Sequence, residues 1–232
     1  MSKQSPLLNR RTILKLGALA SLGTFLGINV IRPKWALALG NLGGGERNSL
    51  VQGKQMGFLY DQTKCIGCHA CQGACKRVNK WEEGVMWRRV LSKGERMERV
   101  YLSMGCNHCA HPACVSVCPV SAYRKRPQDG IVEHDREKCI GCKYCLYACP
   151  YHVPMFSEAT GRISKCHFCY TRQEAGQKPA CVEACPMQAL NFGEMKELLK
   201  IKGGVQQVNG LPDRALTGPS LIIIPKKSAG DN

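Results

Sequence analysis

Residues 64–75 read KCIGCHACQGAC, and residues 138–149 read KCIGCKYCLYAC. Both carry the spacing C-x2-C-x2-C-x3-C, through Cys65, Cys68, Cys71 and Cys75 in the first and Cys139, Cys142, Cys145 and Cys149 in the second. Three thiolates on one tight loop can bind three irons of a [4Fe–4S] cube. The fourth, at the start of the following helix, points away and serves a second cluster. Gly67 and Gly141 stand where that loop turns sharply and where backbone N–H groups must come close to sulfide.

The other eight cysteines form two sets of a second type. Cys106, Cys109, Cys114 and Cys118 make one, and Cys166, Cys169, Cys181 and Cys185 the other. PACVSVCP at 112–119 matches PACVEACP at 179–186, and each follows an earlier C-x2-C, CNHC or CHFC. Along the chain the types alternate, so four groups with exchanged fourth ligands make two ferredoxin-like modules. Spacing alone leaves open whether neighbours pair in sequence or the modules nest. Proline follows three of the groups (Pro119, Pro150, Pro186), and Lys76 takes that place after the first. Every group has its four thiols, which predicts four [4Fe–4S] clusters.

Two other chemistries compete. Zinc takes two C-x2-C pairs, but leaves the third and fourth cysteines of the regular series unexplained. Disulfides are the other use of so many cysteines, but cysteines three apart in series are poorly spaced to bridge one another. A structural zinc or disulfide protein is the alternative from a different class.

Sixteen cysteines in 232 residues, with only 6% aromatic residues, exclude an ordinary apolar core; the clusters must supply much of the interior. The net charge of +16 invites a nucleic-acid reading. Six of those charges (Lys3, Arg10, Arg11, Lys15, Arg32, Lys34) sit in the first 38 residues, which hold no acid. The rest offsets cubanes of roughly −2 each. No nucleic-acid partner is expected.

The N-terminus has the parts of an export signal. Arg10–Arg11 precedes Leu14, then an apolar run from Leu16 to Ile31, then Ala-Leu-Ala at 36–38 with cleavage expected before Leu39. The arginine pair marks the twin-arginine type, used for proteins exported already folded. That suits a polypeptide whose metal binding and folding are one event. The expected location is the periplasm or the outer face of the cytoplasmic membrane, peripherally bound.

The six histidines (His69, His108, His111, His134, His152, His167) read as surface groups or as groups around the clusters that could tune potential, because the thiol count is complete. Trp81 and Trp87 read as core. Short strands are predicted at 57–61, 99–104, 130–135 and 189–193, with helices after the cluster loops and at 194–202. No Ser–His–Asp arrangement, phosphate loop or geometrically forced carboxylate pair is present, so no catalytic residue is expected.

The sequence resembles the four-cluster iron–sulfur electron-transfer subunits of molybdopterin oxidoreductases, particularly the B subunits of anaerobic dimethyl sulfoxide reductases. The resemblance spans about 55–226. It is carried by CIGCHACQGACK (65–76), WRRV (87–90), CNHCAHPACVSVCP (106–119), DGIVEHDREKCIGCKYCLYACPY (129–151), KPACVEACP (178–186), ALNFG (189–193) and PSLIIIPK (219–226). It implies an α+β fold of two nested bacterial-type ferredoxin-like dicluster modules. One cluster would take Cys65, Cys68, Cys71 and Cys185; a second Cys75, Cys166, Cys169 and Cys181; a third Cys106, Cys109, Cys114 and Cys149; a fourth Cys118, Cys139, Cys142 and Cys145.

The implied organisation is a signal peptide at 1–38, a linker at 39–54, a double module at 55–203 with its inner module at 105–160, and an extended tail at 204–232 contacting a partner. The implied function is relay of electrons between a membrane quinol-oxidising anchor subunit and a molybdopterin catalytic subunit, without substrate chemistry in this polypeptide. Its own leader departs from the best-known B subunits. The leader resembles instead that of the iron–sulfur subunit of formate-dependent nitrite reduction, the alternative reading; GACKRVNKWEEGV at 73–85 fits both.

Overall fold

The computed structural model describes residues 54–94 and 99–226. The leader and all of the linker except Lys54 lie outside the described residues, as do Arg10 and Arg11. Among the described residues no helix is long and apolar enough to cross a membrane.

The strand ahead of the first cysteine group, β1 (Met56–Asp61), pairs antiparallel with the strand that follows the last group, β8 (Leu190–Glu194). Phe58 and Tyr60 alternate inward from it and are 3% and 1% exposed, as period-2 side-chain placement requires. On the other edge of β1 lies β9 (Leu221–Ile224), in parallel. The sheet order is β8-β1-β9.

Among the described residues, three two-stranded ribbons complete the strands. They are β2 (Arg89–Lys93) with β3 (Val100–Met104), β4 (Tyr123–Lys125) with β5 (Val132–His134), and β6 (Met155–Ser157) with β7 (Arg162–Ser164). The β4–β5 ribbon joins the residues after the second cysteine group to those before the third. Strand pairing therefore nests: the outer sheet closes the first group on the fourth, and β4–β5 closes the second on the third.

The helices follow the same rule. Helix α1 (Ala70–Asn79) carries Cys71 and Cys75, and α2 (Ala113–Ser116) carries Cys114. Helix α3 (Tyr144–Ala148) carries Cys145, α4 (Tyr170–Glu174) follows Cys169, and α5 (Ala180–Glu183) carries Cys181. α1 packs on α5, and α2 on α3. The α+β class with short elements is as expected.

One expectation changes. The helix expected over 194–202 is the single turn α6 (Met195–Leu198). Beyond residue 160, β7 pairs back on β6 as far as Ser164. The tail runs back against β1 of its own chain. Ile222 and Ile223 are 1% and 0% exposed, and Val205 and Ile223 exchange backbone hydrogen bonds of 2.7 and 2.8 Å. An apolar run of four residues is stabilised more by burial beside β1 than by exposure.

Candidate iron–sulfur centres

The two C-x2-C-x2-C loops are built alike. Gly67 and Gly141 both have φ +71°, and the residue before each helix, His69 or Lys143, is also left-handed, at φ 59° and 63°. A Cβ on Gly67 would run into the Tyr101 ring, and one on Gly141 into the carbonyl oxygen of Gly161. The glycines thus make room for protein neighbours behind the loop.

Each group ends in C-x3-C, which sets two thiols one helical turn apart and lets each address a different site. The structure gathers eight of the sixteen thiols around two cavities. Cys65, Cys68, Cys71 and Cys185 line one cavity, beside Tyr60 and Ser103. Cys118, Cys139, Cys142 and Cys145 line another, beside Tyr123 and Ile163.

The other eight fall into two further groups by their influence on one another. Burial pushes the Cys75 thiol up to about 12, and the neighbouring Cys181 and Cys169 add to the effect. Asn79 Nδ2 donates to Cys75 Sγ at 3.4 Å and reaches Cys169 Sγ at 3.9 Å. Cys166 is also raised, by burial and then by Cys75 and Cys106. In the last set, burial lifts Cys109 to about 12, with Cys106 and Cys149 as its sulfur neighbours. Cys114 is raised by burial among Cys106, Cys149 and Cys109. Cys166 is thus influenced by Cys106, a thiol of the other of these two groups.

The donor set fits iron–sulfur clusters. All sixteen thiols are free. Among the described residues no group of three or more His, Cys, Asp or Glu side chains closes to the geometry of a single metal ion, whereas a cubane holds its thiolates farther apart. Backbone N–H groups already point at sulfur: Ala122 to Cys118 at 3.2 Å, Ala189 to Cys185 at 3.3 Å, Phe168 to Cys166 at 3.3 Å and Ile163 to Cys139 at 3.4 Å. Such donors favour the thiolate and tune potential. Thiols raised by burial are protonated at neutral pH, so metal binding releases their protons.

Of the histidines, His69, His111 and His152 are exposed and His134 and His167 are half-buried. His108 departs from a surface role. It is fully buried, packs edge-on to Phe168, and accepts the Val132 N–H at Nδ1 (3.0 Å), while burial holds its pKa well below the usual range. Trp81 and Trp87 are core, as expected, and Trp87 Nε1 donates to Ser164 Oγ at 2.8 Å. Arg88, Asn79 and Ser103 escape sequence reasoning; WRRV flags a position but not which arginine is buried.

A polypeptide whose strands and helices fold four-thiol sets into paired modules is a ferredoxin-type dicluster iron–sulfur protein. The family description "4Fe-4S dicluster domain" matches residues 97–195, and "4Fe-4S binding domain" matches 62–81. The B subunit of the anaerobic dimethyl sulfoxide reductase of Escherichia coli is 41% identical over 187 residues, covering 75% of this chain and 91% of the relative. That of Haemophilus influenzae is 39% identical over 189 residues, covering 76% and 92%. Protein NrfC of Escherichia coli is 41% identical over 153 residues, covering 63% and 69%. This protein belongs to the family of anaerobic dimethyl sulfoxide reductase B subunits, and its role is iron–sulfur electron transfer.

Proposed function

We propose that the protein holds four [4Fe–4S] clusters in series and passes single electrons between a membrane quinol-oxidising subunit and a molybdopterin catalytic subunit, with no substrate chemistry of its own. The ligand sets are Cys65, Cys68, Cys71 and Cys185; Cys75, Cys166, Cys169 and Cys181; Cys106, Cys109, Cys114 and Cys149; and Cys118, Cys139, Cys142 and Cys145. A [4Fe–4S] cluster supplies one-electron redox chemistry.

One observation carries the reading. Two separate cavities are each lined by four thiols, and each includes one exposed thiol, Cys68 in the first and Cys142 in the second. Electrons need a surface cluster at each end and a shielded path between. The longer match to the B-subunit relatives supports a catalytic partner that reduces an S- or N-oxide or a related oxyanion. The likeness to NrfC, together with the Arg10–Arg11 leader, supports a second reading, service to a nitrite-reducing system. Under both, the leader takes the folded protein to the outer face of the cytoplasmic membrane.

The test is purification of the native complex from membranes, with metal analysis and protease treatment of spheroplasts. About 16 irons per polypeptide, a co-purifying molybdenum subunit and digestion from outside are expected. A haem-rich partner without molybdenum selects the second reading. Substantially fewer irons would overturn the four-cluster assignment.

A further inference from the structure

Arg88 is the most deeply buried cation beside the cysteines, at 2% exposure. A guanidinium stays charged in proteins, and an isolated buried charge is costly unless something opposite in sign compensates it. Among the described residues Arg88 makes no ion pair with a carboxylate. Its Nη1 donates to Ser103 O at 3.3 Å and to Ser103 Oγ at 3.1 Å, and its carbon lies 4.7 Å from the centre of the Phe58 ring. Its Nη2 is buried with no partner among the described residues. Gly105 leaves the room for that nitrogen, since a Cβ there would sit 3.1 Å from it.

The surroundings supply the missing charge. Ser103 Oγ lies 3.5 Å from Cys71 Sγ, a thiol of the first set. Burial opposes the charge on Arg88, while negative charge at Cys181, Cys166, Cys71 and Cys75, as it would be present when they ligate clusters, favours it. Three of those four belong to the second set. The guanidinium is therefore tied through Ser103 to the first four-thiol site, and Cys181, Cys166 and Cys75 of the second lie within its electrostatic reach.

We propose that Arg88 is a positioning residue for electron transfer: a fixed positive charge shared by the Cys65–Cys68–Cys71–Cys185 and Cys75–Cys166–Cys169–Cys181 clusters that holds their reduction potentials up. The inference rests on the four-cluster reading. Its physical basis is direct. One-electron reduction adds a negative charge to a cluster, and a nearby cation in a low-dielectric interior stabilises that state. Phe58 below and the Ser103 carbonyl beside it keep the charge from swinging to solvent. Ser103 also passes the polarisation to Cys71 through a second hydrogen bond.

The experiment is an EPR-monitored redox titration of the assembled complex, with iron counted in each sample. In Arg88→Met the reduced-to-oxidised ratio at fixed potential should fall at least tenfold at the two flanking clusters, about 59 mV for a one-electron couple. The Cys118–Cys139–Cys142–Cys145 cluster should change much less. Arg88→Lys keeps the charge and should restore most of the ratio. A fully loaded Arg88→Met with unshifted potentials would overturn the proposal, as would a Lys variant shifted as far as Met.

If Arg88→Met does not assemble, Gly105→Ala and Ser103→Ala decide. The first displaces Nη2 and the second removes the link to Cys71. Both should lower the flanking potentials by a smaller factor, and unchanged potentials in both would overturn the idea. Failure of the four-cluster reading is separate, because it would appear in the unmodified complex as missing iron.

Discussion

At the scale of single residues, Gly67 and Gly141 look interchangeable in their matching motifs and share φ +71°. Their neighbours differ. Gly67 faces the ring of Tyr101, a half-buried side chain that can rotate away, whereas Gly141 faces the backbone carbonyl of Gly161, which cannot move without its hairpin. Both alanine variants incur left-handed strain. Gly141→Ala should cost about 1–3 kcal/mol and lower the melting temperature further than Gly67→Ala. It should also deplete the Cys139-containing cluster, read by iron content and EPR; equal melting temperatures would refute the distinction. The motif showed that a glycine was needed, but not which atoms would occupy the space it leaves. Arg88 makes the same point. Arg88 and Arg89 are adjacent in WRRV, yet one is buried among thiols while the other donates from β2 to the Tyr151 and His152 carbonyls.

At the scale of elements, the last strand matters most. Residues 221–224 are a short apolar run that was not read as a strand, and nothing local says that they lie parallel to β1, more than 150 residues earlier in the sequence. Ile223 is paired in register with Tyr60, which lines the cavity of Cys65, Cys68, Cys71 and Cys185. Ile223→Ala should therefore destabilise the fold by about 2–5 kcal/mol, measured by thermal unfolding. It should release the cluster of that cavity before the others. Loss of all four clusters together, or of none despite a lowered melting temperature, would deny the coupling between β9 and the cavity. Four strands and the post-loop helices were readable from pattern. The β6–β7 ribbon was not, because its strands, Met-Phe-Ser and Arg-Ile-Ser, carry no clear apolar alternation.

At the scale of the whole molecule, the polypeptide begins one module, completes another inside it, and then returns to finish the first. The consequence is that a ligand can belong to a cluster far from its neighbours in sequence. Cys149→Ser should damage the cluster of Cys106, Cys109 and Cys114 and leave that of Cys139, Cys142 and Cys145 largely intact, as seen by EPR of the assembled complex. Loss of the latter instead would refute the exchange of ligands between groups. The sequence by itself determined the chemistry: sixteen thiols at iron–sulfur spacing, two loop types and two modules. Those follow from contacts within a dozen residues, where spacing dictates geometry. Only the tertiary structure decided which groups come together, because C-x3-C offers the same two thiols to either partner. The choice is made by β1 pairing with β8 and β4 with β5, and by α1 packing on α5 and α2 on α3. The same long-range packing put the charge of Arg88 inside and left Cys68 and Cys142 at the surface. Burial is a property of what surrounds a residue, and most of what surrounds these comes from distant parts of the sequence.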